Sequence, residues 1–235
     1  MNKTTLTVAL TVAFIASLAA PFSLKADDNL PITAEQQQKL TPDAVLADLM
    51  KGNKRYAAGN ISEPNIKDRV EASSKGQFPQ AVILSCLDSR VPVEDVFDQG
   101  IGDIFVGRVA GNIENVDQLG SMEFAAGAAG VKLVMVLGHE ACGAVKGACD
   151  DVKLGNLTKL LAKIKPAIDS VEGYDGERNS KNKEFVDKVI EANVRQTMTD
   201  IRKRSDLLAS MEEEGKIKIV GAIYSLHTGE VTLLD

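Results

Sequence analysis

Cys86-Leu87-Asp88-Ser89-Arg90 and, well downstream, His139-Glu140-Ala141-Cys142-Gly143 are the residues of this chain best suited to chemistry. Two thiols and one imidazole form a soft-to-borderline donor set that suits Zn²⁺. Three protein ligands leave a fourth tetrahedral position, the arrangement of a catalytic zinc. Asp88 and Arg90 stand two and four residues after the first thiol, where they can orient what surrounds the metal. His139 and Cys142 are three residues apart, a spacing that brings both onto one ion across a strand-to-helix turn.

The hydrophobic pattern supplies the elements that must position these groups. Gln80–Ser85 and Asp103–Val109 are short, nearly continuous apolar runs, the mark of strands buried on both faces. Val131–Leu137 is the clearest strand, with Gly138 expected to end it. Cys86 and His139 then follow strand ends, where open α/β sheets place their crevices. Thr41-Pro42 should cap a helix carrying Val45, Leu46, Leu49 and Met50 and ending near Gly59. Val116–Ala129 reads as a helix with Val116, Leu119 and Met122 on one side. One apolar stripe runs from Leu157 to Ile168 and another from Val186 to Ile201, with a loop over residues 172–183 between them. Lys216–Tyr224 and Glu230–Leu234 close the chain as two strands around Thr228-Gly229, the last an antiparallel edge. The expected fold class is α/β: a mostly parallel central sheet flanked by helices, with an N-terminal helical arm.

The chain has 235 residues and ordinary globular composition, and it lacks tryptophan. Residues 1–26 have the pattern of a secretory signal: a lysine near the start, an apolar run from Leu6 to Ala20, then small residues before Asp27-Asp28. That leaves one domain over residues 27–235, expected in the periplasm or otherwise exported. Removing the signal takes Lys3 and Lys25 from the 27 basic residues and none of the 33 acidic ones, a net charge of −8. An acidic chain without a basic run argues against nucleic acid or an anionic membrane surface as partner. No stable membrane span is expected once the signal is cleaved. Three cysteines cannot all pair. With Cys86 and Cys142 given to a metal, Cys149 is left as a small buried side chain on a helix. Glu140 next to His139 invites comparison with zinc proteases, but the second histidine of HExxH is absent.

From about residue 41 to the C-terminus the chain resembles a beta-class carbonic anhydrase. The residues that carry the resemblance are Cys86-x-Asp88-x-Arg90, His139-x-x-Cys142-Gly143, Ser89-Arg90-Val91-Pro92, Arg108-Val109-Ala110-Gly111-Asn112 and Gly221-Ala222-Ile223-Tyr224. The resemblance implies Zn²⁺ on Cys86, His139 and Cys142 with water as fourth ligand. It implies reversible hydration of CO₂ to bicarbonate and a proton by the zinc-bound hydroxide, with Asp88 and Arg90 catalytic. It points to the open, plant-like subtype, in which Gln77 would hydrogen-bond substrate and Phe105 and Gly143 would line the pocket. Phe124 stands where that subtype often has tyrosine. In the family the residues matching Gln77, Phe105 and Phe124 come from a neighbouring subunit, which implies a homodimer or homotetramer. Two alternatives share the ligand set: hydrolysis of carbon disulfide or carbonyl sulfide on the same fold, and non-catalytic zinc binding.

Overall fold

A computed structural model of the chain describes residues 30–234. The signal assigned to residues 1–26 lies outside them. Five strands form one sheet: β1 (Ala81–Ser85), β2 (Ile104–Arg108), β3 (Leu133–His139), β4 (Lys218–Tyr224) and β5 (Val231–Leu234), in the order β2-β1-β3-β4-β5. The first four are parallel and β5 is the antiparallel edge, as expected. The helices are α1 (Ala34–Gln38), α2 (Pro42–Ala57), α3 (Ile66–Ser73), α4 (Val93–Val96), α5 (Val116–Glu123), α6 (Gly143–Cys149), α7 (Leu157–Leu161), α8 (Lys165–Ser170), α9 (Lys183–Arg204) and α10 (Asp206–Glu213). Among the described residues no helix is long and apolar enough to cross a membrane.

Both faces of the sheet are covered over β1 and β3, whose residues are all buried and nearly all apolar, whereas β2, expected to be buried on both faces, is half-buried and ends exposed because it lies at the sheet edge. Ala81, Ile83, Leu133, Met135 and Leu137 pack against Val45 and Leu49 of α2 and Val93 and Val96 of α4. The alternate residues Val82, Leu84, Val134 and Val136 face Leu119, Met122, Val194, Ile201 and Leu208 on the other side. A third apolar group closes over the carboxyl end of the strands. It joins Cys86 and Cys142 to Ile113, Val145, Leu161, Ile164 and Phe185.

Local signals account for most helix ends. Thr41 caps α2 by accepting from the Ala44 amide at 3.2 Å, with Pro42 in the first turn. Asn182 caps α9 by accepting from the Phe185 amide at 3.3 Å.

Four readings are corrected. β3 does not stop at Gly138 but runs to His139, pairing Gly138 with Ile223 and His139 with Tyr224. The glycine serves close packing: a Cβ there would lie 2.6 Å from Val194 Cγ2 of α9. The stripe from Leu157 to Ile168 is two helices rather than one, because Pro166 cannot continue α7 and instead starts α8. α5 ends at Glu123 and continues as a π turn over Phe124–Ala128, which buries Ala125 and Ala126 while Val116 is exposed. Cys149 is half-buried rather than buried.

Candidate metal centre

β1 and β3 bring the donors together. Their register pairs Ser85 with Leu137, so Cys86 emerges beside the Gly138–His139 end of β3. The chain then folds back through Ala141, which has φ +53°, and presents Cys142 as the N-terminal cap of α6. A non-glycine residue in that region is strained and needs its surroundings to hold it. The Cys86 and Cys142 sulfurs and a His139 ring nitrogen all lie within 4.8 Å of one another. All three residues are buried.

The histidine is poised as a ligand. Its Nδ1 lies 2.8 Å from the Glu140 carbonyl, which can only accept, so Nδ1 carries the proton. Nε2 is therefore a free lone pair. It is buried without a hydrogen-bond partner among the described residues. Such an atom is costly unless something binds it. A backbone acceptor behind the ring is the usual way a metal-binding histidine is oriented.

The sulfurs fit the same reading. They are 3.9 Å apart, far longer than a disulfide bond. Two thiolates on a tetrahedral Zn²⁺ would stand about 3.8 Å apart, given Zn–S bonds of about 2.3 Å. Cys86 is pulled below the ordinary thiol range, first by its contact with Cys142, against the opposing effect of burial. The same contact, together with burial, pushes Cys142 up. Two buried sulfurs here share what a single cation would replace. The residues thus fit zinc by donor type, by sulfur spacing and by the unmatched nitrogen.

Asp88 stands over this cluster, its Oδ2 3.8 Å from His139 Nε2. Arg90 holds it by two parallel bonds, Nε to Oδ1 at 2.8 Å and Nη2 to Oδ2 at 2.6 Å. The Arg90 amide also donates to Oδ1 at 3.0 Å. Those bonds from Arg90 hold the carboxyl well below the usual range, so Asp88 is ionised and can only accept. Gly143 opens α6 beside Cys142, and a Cβ on it would meet nothing within 4 Å, so the space next to it is open.

The pocket residues taken from the family resemblance lie elsewhere in the single chain. Gln77 is exposed in the loop before β1, whereas Cys86 follows β1, so roughly 16 Å of strand separates them. Phe105 pairs with Val82, roughly 13 Å along β1 from Cys86. Phe105 and Phe124 face each other with ring centroids 6.2 Å apart. They line a cavity of about 780 Å³ between β2 and α5, with Arg108 at its wall.

The structure gives contacts to two residues that the sequence named without a role. Arg108 ends β2 and donates Nε to the Cys86 carbonyl at 2.9 Å and Nη2 to the Asp88 carbonyl at 2.5 Å, fixing the turn between them. Its place at the carboxyl end of the next parallel strand was the available signal. Glu140 is spent on structure, its Oε2 accepting from Ser225 Oγ at 2.9 Å and the Leu226 amide at 3.0 Å.

A family model described as carbonic anhydrase matches residues 81–231, which include every one of these ligands. The chain belongs to the beta-class carbonic anhydrases. Carbonic anhydrase 2 of Mycobacterium tuberculosis is 34% identical over 200 residues, covering 83% of this chain and 93% of that protein. The solved beta-carbonic anhydrase CcaA superposes with a TM-score of 0.64 at 26% identity, covering 81% of this chain and 87% of the other. A structure from Sordaria macrospora, described as one of two tetrameric beta-carbonic anhydrases, shares the fold with a TM-score of 0.62 at 22% identity, over 82% of this chain and 95% of that one. This beta-class carbonic anhydrase therefore has its Cys–His–Cys cluster and its Asp88–Arg90 pair inside the matched region.

Proposed function

We propose that this enzyme hydrates CO₂ reversibly to bicarbonate and a proton at a zinc ion held by Cys86, His139 and Cys142. The observation that carries the reading is the buried, unmatched Nε2 of His139 facing two sulfurs 3.9 Å apart. Zn²⁺ in such a site supplies a water of lowered pKa as nucleophile. Asp88 accepts a hydrogen bond from the nucleophile and fixes its lone pair toward the carbon of CO₂. Arg90 keeps the Asp88 carboxylate from turning onto the ligand cluster. The product proton passes to solvent buffer, since His227 is exposed in the turn before β5.

The proposal includes assembly. Gln77, Phe105 and Phe124 are too far along their own chain to reach its cluster, so a partner subunit would supply them. Phe124 and Val116 stand 56% and 72% exposed at the β2 end of the sheet, as residues awaiting a cover do. A homodimer or homotetramer follows, in a protein exported by residues 1–26. The relatives named carbonic anhydrases give no support to sulfide release or to purely structural zinc.

Stopped-flow CO₂ hydration on dialysed protein tests the reading. Activity should vanish with a strong chelator and return with added Zn²⁺. Hydration that persists without metal would refute it.

A further inference from the structure

One hydrogen bond to the cluster originates in a short loop with an unfavoured backbone. The Gly111 amide donates to Cys86 Sγ at 3.3 Å, a buried contact. Gly111 lies in a 3₁₀ turn over Ala110–Asn112, with φ +75° at Gly111 and +42° at Asn112. Two successive left-handed residues are an unfavoured backbone, and glycine adds freedom rather than stiffness. The turn's own backbone offers the Asn112 amide bonded to the Val109 carbonyl at 3.0 Å. A side chain at Gly111 is not a remedy, because its Cβ would lie 2.8 Å from Ile164 Cδ1 and 3.2 Å from Ala144 Cβ.

The anchor comes from α9, 82 residues away. Asn193 Nδ2 donates to the Gly111 carbonyl at 2.8 Å, and Asn193 is 2% exposed. A buried amide in the middle of a packed helix costs stability unless it is hydrogen-bonded, and the bond found for Asn193 Nδ2 is the one to Gly111. Its neighbours on the same face of α9 are Val189, Ile190, Val194 and Thr197, all buried, so an apolar side chain would otherwise suit the position.

We infer that Asn193 is a positioning residue for the metal centre, holding the Gly111 carbonyl so that the Gly111 amide stays aimed at Cys86 Sγ. A thiolate that accepts an N–H bond gives less charge to its metal. In a site with two thiolates, that withdrawal restores part of the Lewis acidity that the second sulfur removes. Asn193 touches neither substrate nor metal and acts through Gly111. The inference rests on the zinc site proposed above.

The test loads the whole protein with an NMR-active cadmium isotope, which replaces zinc at thiolate sites. Scalar coupling from the metal to amide protons reports which amides hydrogen-bond its sulfurs. Wild-type protein should show coupling to the Gly111 amide. Asn193→Leu should lose it. The cobalt-loaded variant should shift its sulfur-to-metal charge-transfer band to longer wavelength, and zinc affinity should fall about tenfold. Should Asn193→Leu fail to fold, Asn193→Ser, polar but too short to reach Gly111, is measured in its place. Absence of Gly111 coupling in cadmium-loaded wild type, or an unchanged band and affinity within twofold in a folded variant, overturns the inference. Failure of wild type to bind cadmium, cobalt or zinc would overturn it too, but by refuting the metal site itself.

Discussion

Arg90 grips both oxygens of Asp88, Nε to Oδ1 at 2.8 Å and Nη2 to Oδ2 at 2.6 Å, while Oδ2 stays 3.8 Å from His139 Nε2. The carboxylate is thus beside the ligand cluster without belonging to it. Arg90 itself is exposed, so solvent screens the pair and it adds little to stability. Its role is orientation. Arg90→Ala should leave the melting temperature nearly unchanged, retain one zinc, and lower kcat for CO₂ hydration by 10-fold or more. A variant with wild-type turnover would show that Asp88 needs no such restraint.

Asp88→Asn keeps the size of the side chain and removes its charge. The amide can still touch Arg90 but offers it one acceptor atom in place of two. Zinc content should stay at one per chain, and kcat should fall on the order of 10² or more. Elemental analysis beside stopped-flow kinetics separates the two effects. Loss of zinc without loss of activity per bound metal would place Asp88 among the structural residues.

Cys149 sits apart from the cluster at the end of α6, and burial, then Asp150, pushes its thiol up to about 11. It should be a sluggish nucleophile at neutral pH. In zinc-loaded native protein a thiol reagent should find Cys149 alone, slowly. Chelation should expose Cys86 and Cys142 as well. Cys149→Ser should abolish the slow reaction and leave zinc content untouched. Fast reaction of all three thiols in loaded protein would contradict the assignment.

Glu212 ties α9, α10 and β4 together. It accepts from Arg202 Nε at 2.7 Å, from Arg202 Nη2 at 2.8 Å and from the Ile219 amide at 3.0 Å. Burial opposes its ionisation, but the bonds from Arg202 and Ile219 outweigh burial and lower its pKa. A lowered folded-state pKa gives stability that is present above the unfolded value and lost as pH falls through the folded one. Glu212→Gln should cost about 1 kcal/mol at pH 7. The gap to wild type should close at a pH well below the ordinary carboxylate range, as wild type itself becomes protonated. Denaturant titrations at both pH values check this; an equal gap at both would deny Glu212 an ionic role.

The sheet was legible because its central strands are buried on both faces. Ala81–Ser85 and Leu133–Leu137 are nearly continuous apolar runs too short for buried helices, so their length marks them as strands. The Cys86–His139–Cys142 cluster, a candidate metal site, was legible from donor type and from its place after those strands. What escaped was set by packing rather than by pattern. Gly138 reads as a strand end, but its role is to let Val194 of α9 approach the sheet. α10 is brief and exposes Leu207, so its stripe is thin. α3 carries the buried Arg69, whose ion pair with Asp103 at 2.6 Å no local periodicity announces. Arg108 and Gly111 reach the site across strands and turns, and such contacts appear only once the chain is folded.

The proposed activity requires Cys86, His139 and Cys142 together to hold a single zinc ion. Elemental analysis of purified, folded protein, with a thiol count on the same sample, tests it most directly. One zinc per chain is expected, with Cys86 and Cys142 protected until chelator is added. Folded protein that binds no zinc, with those two cysteines joined as a disulfide, would contradict it.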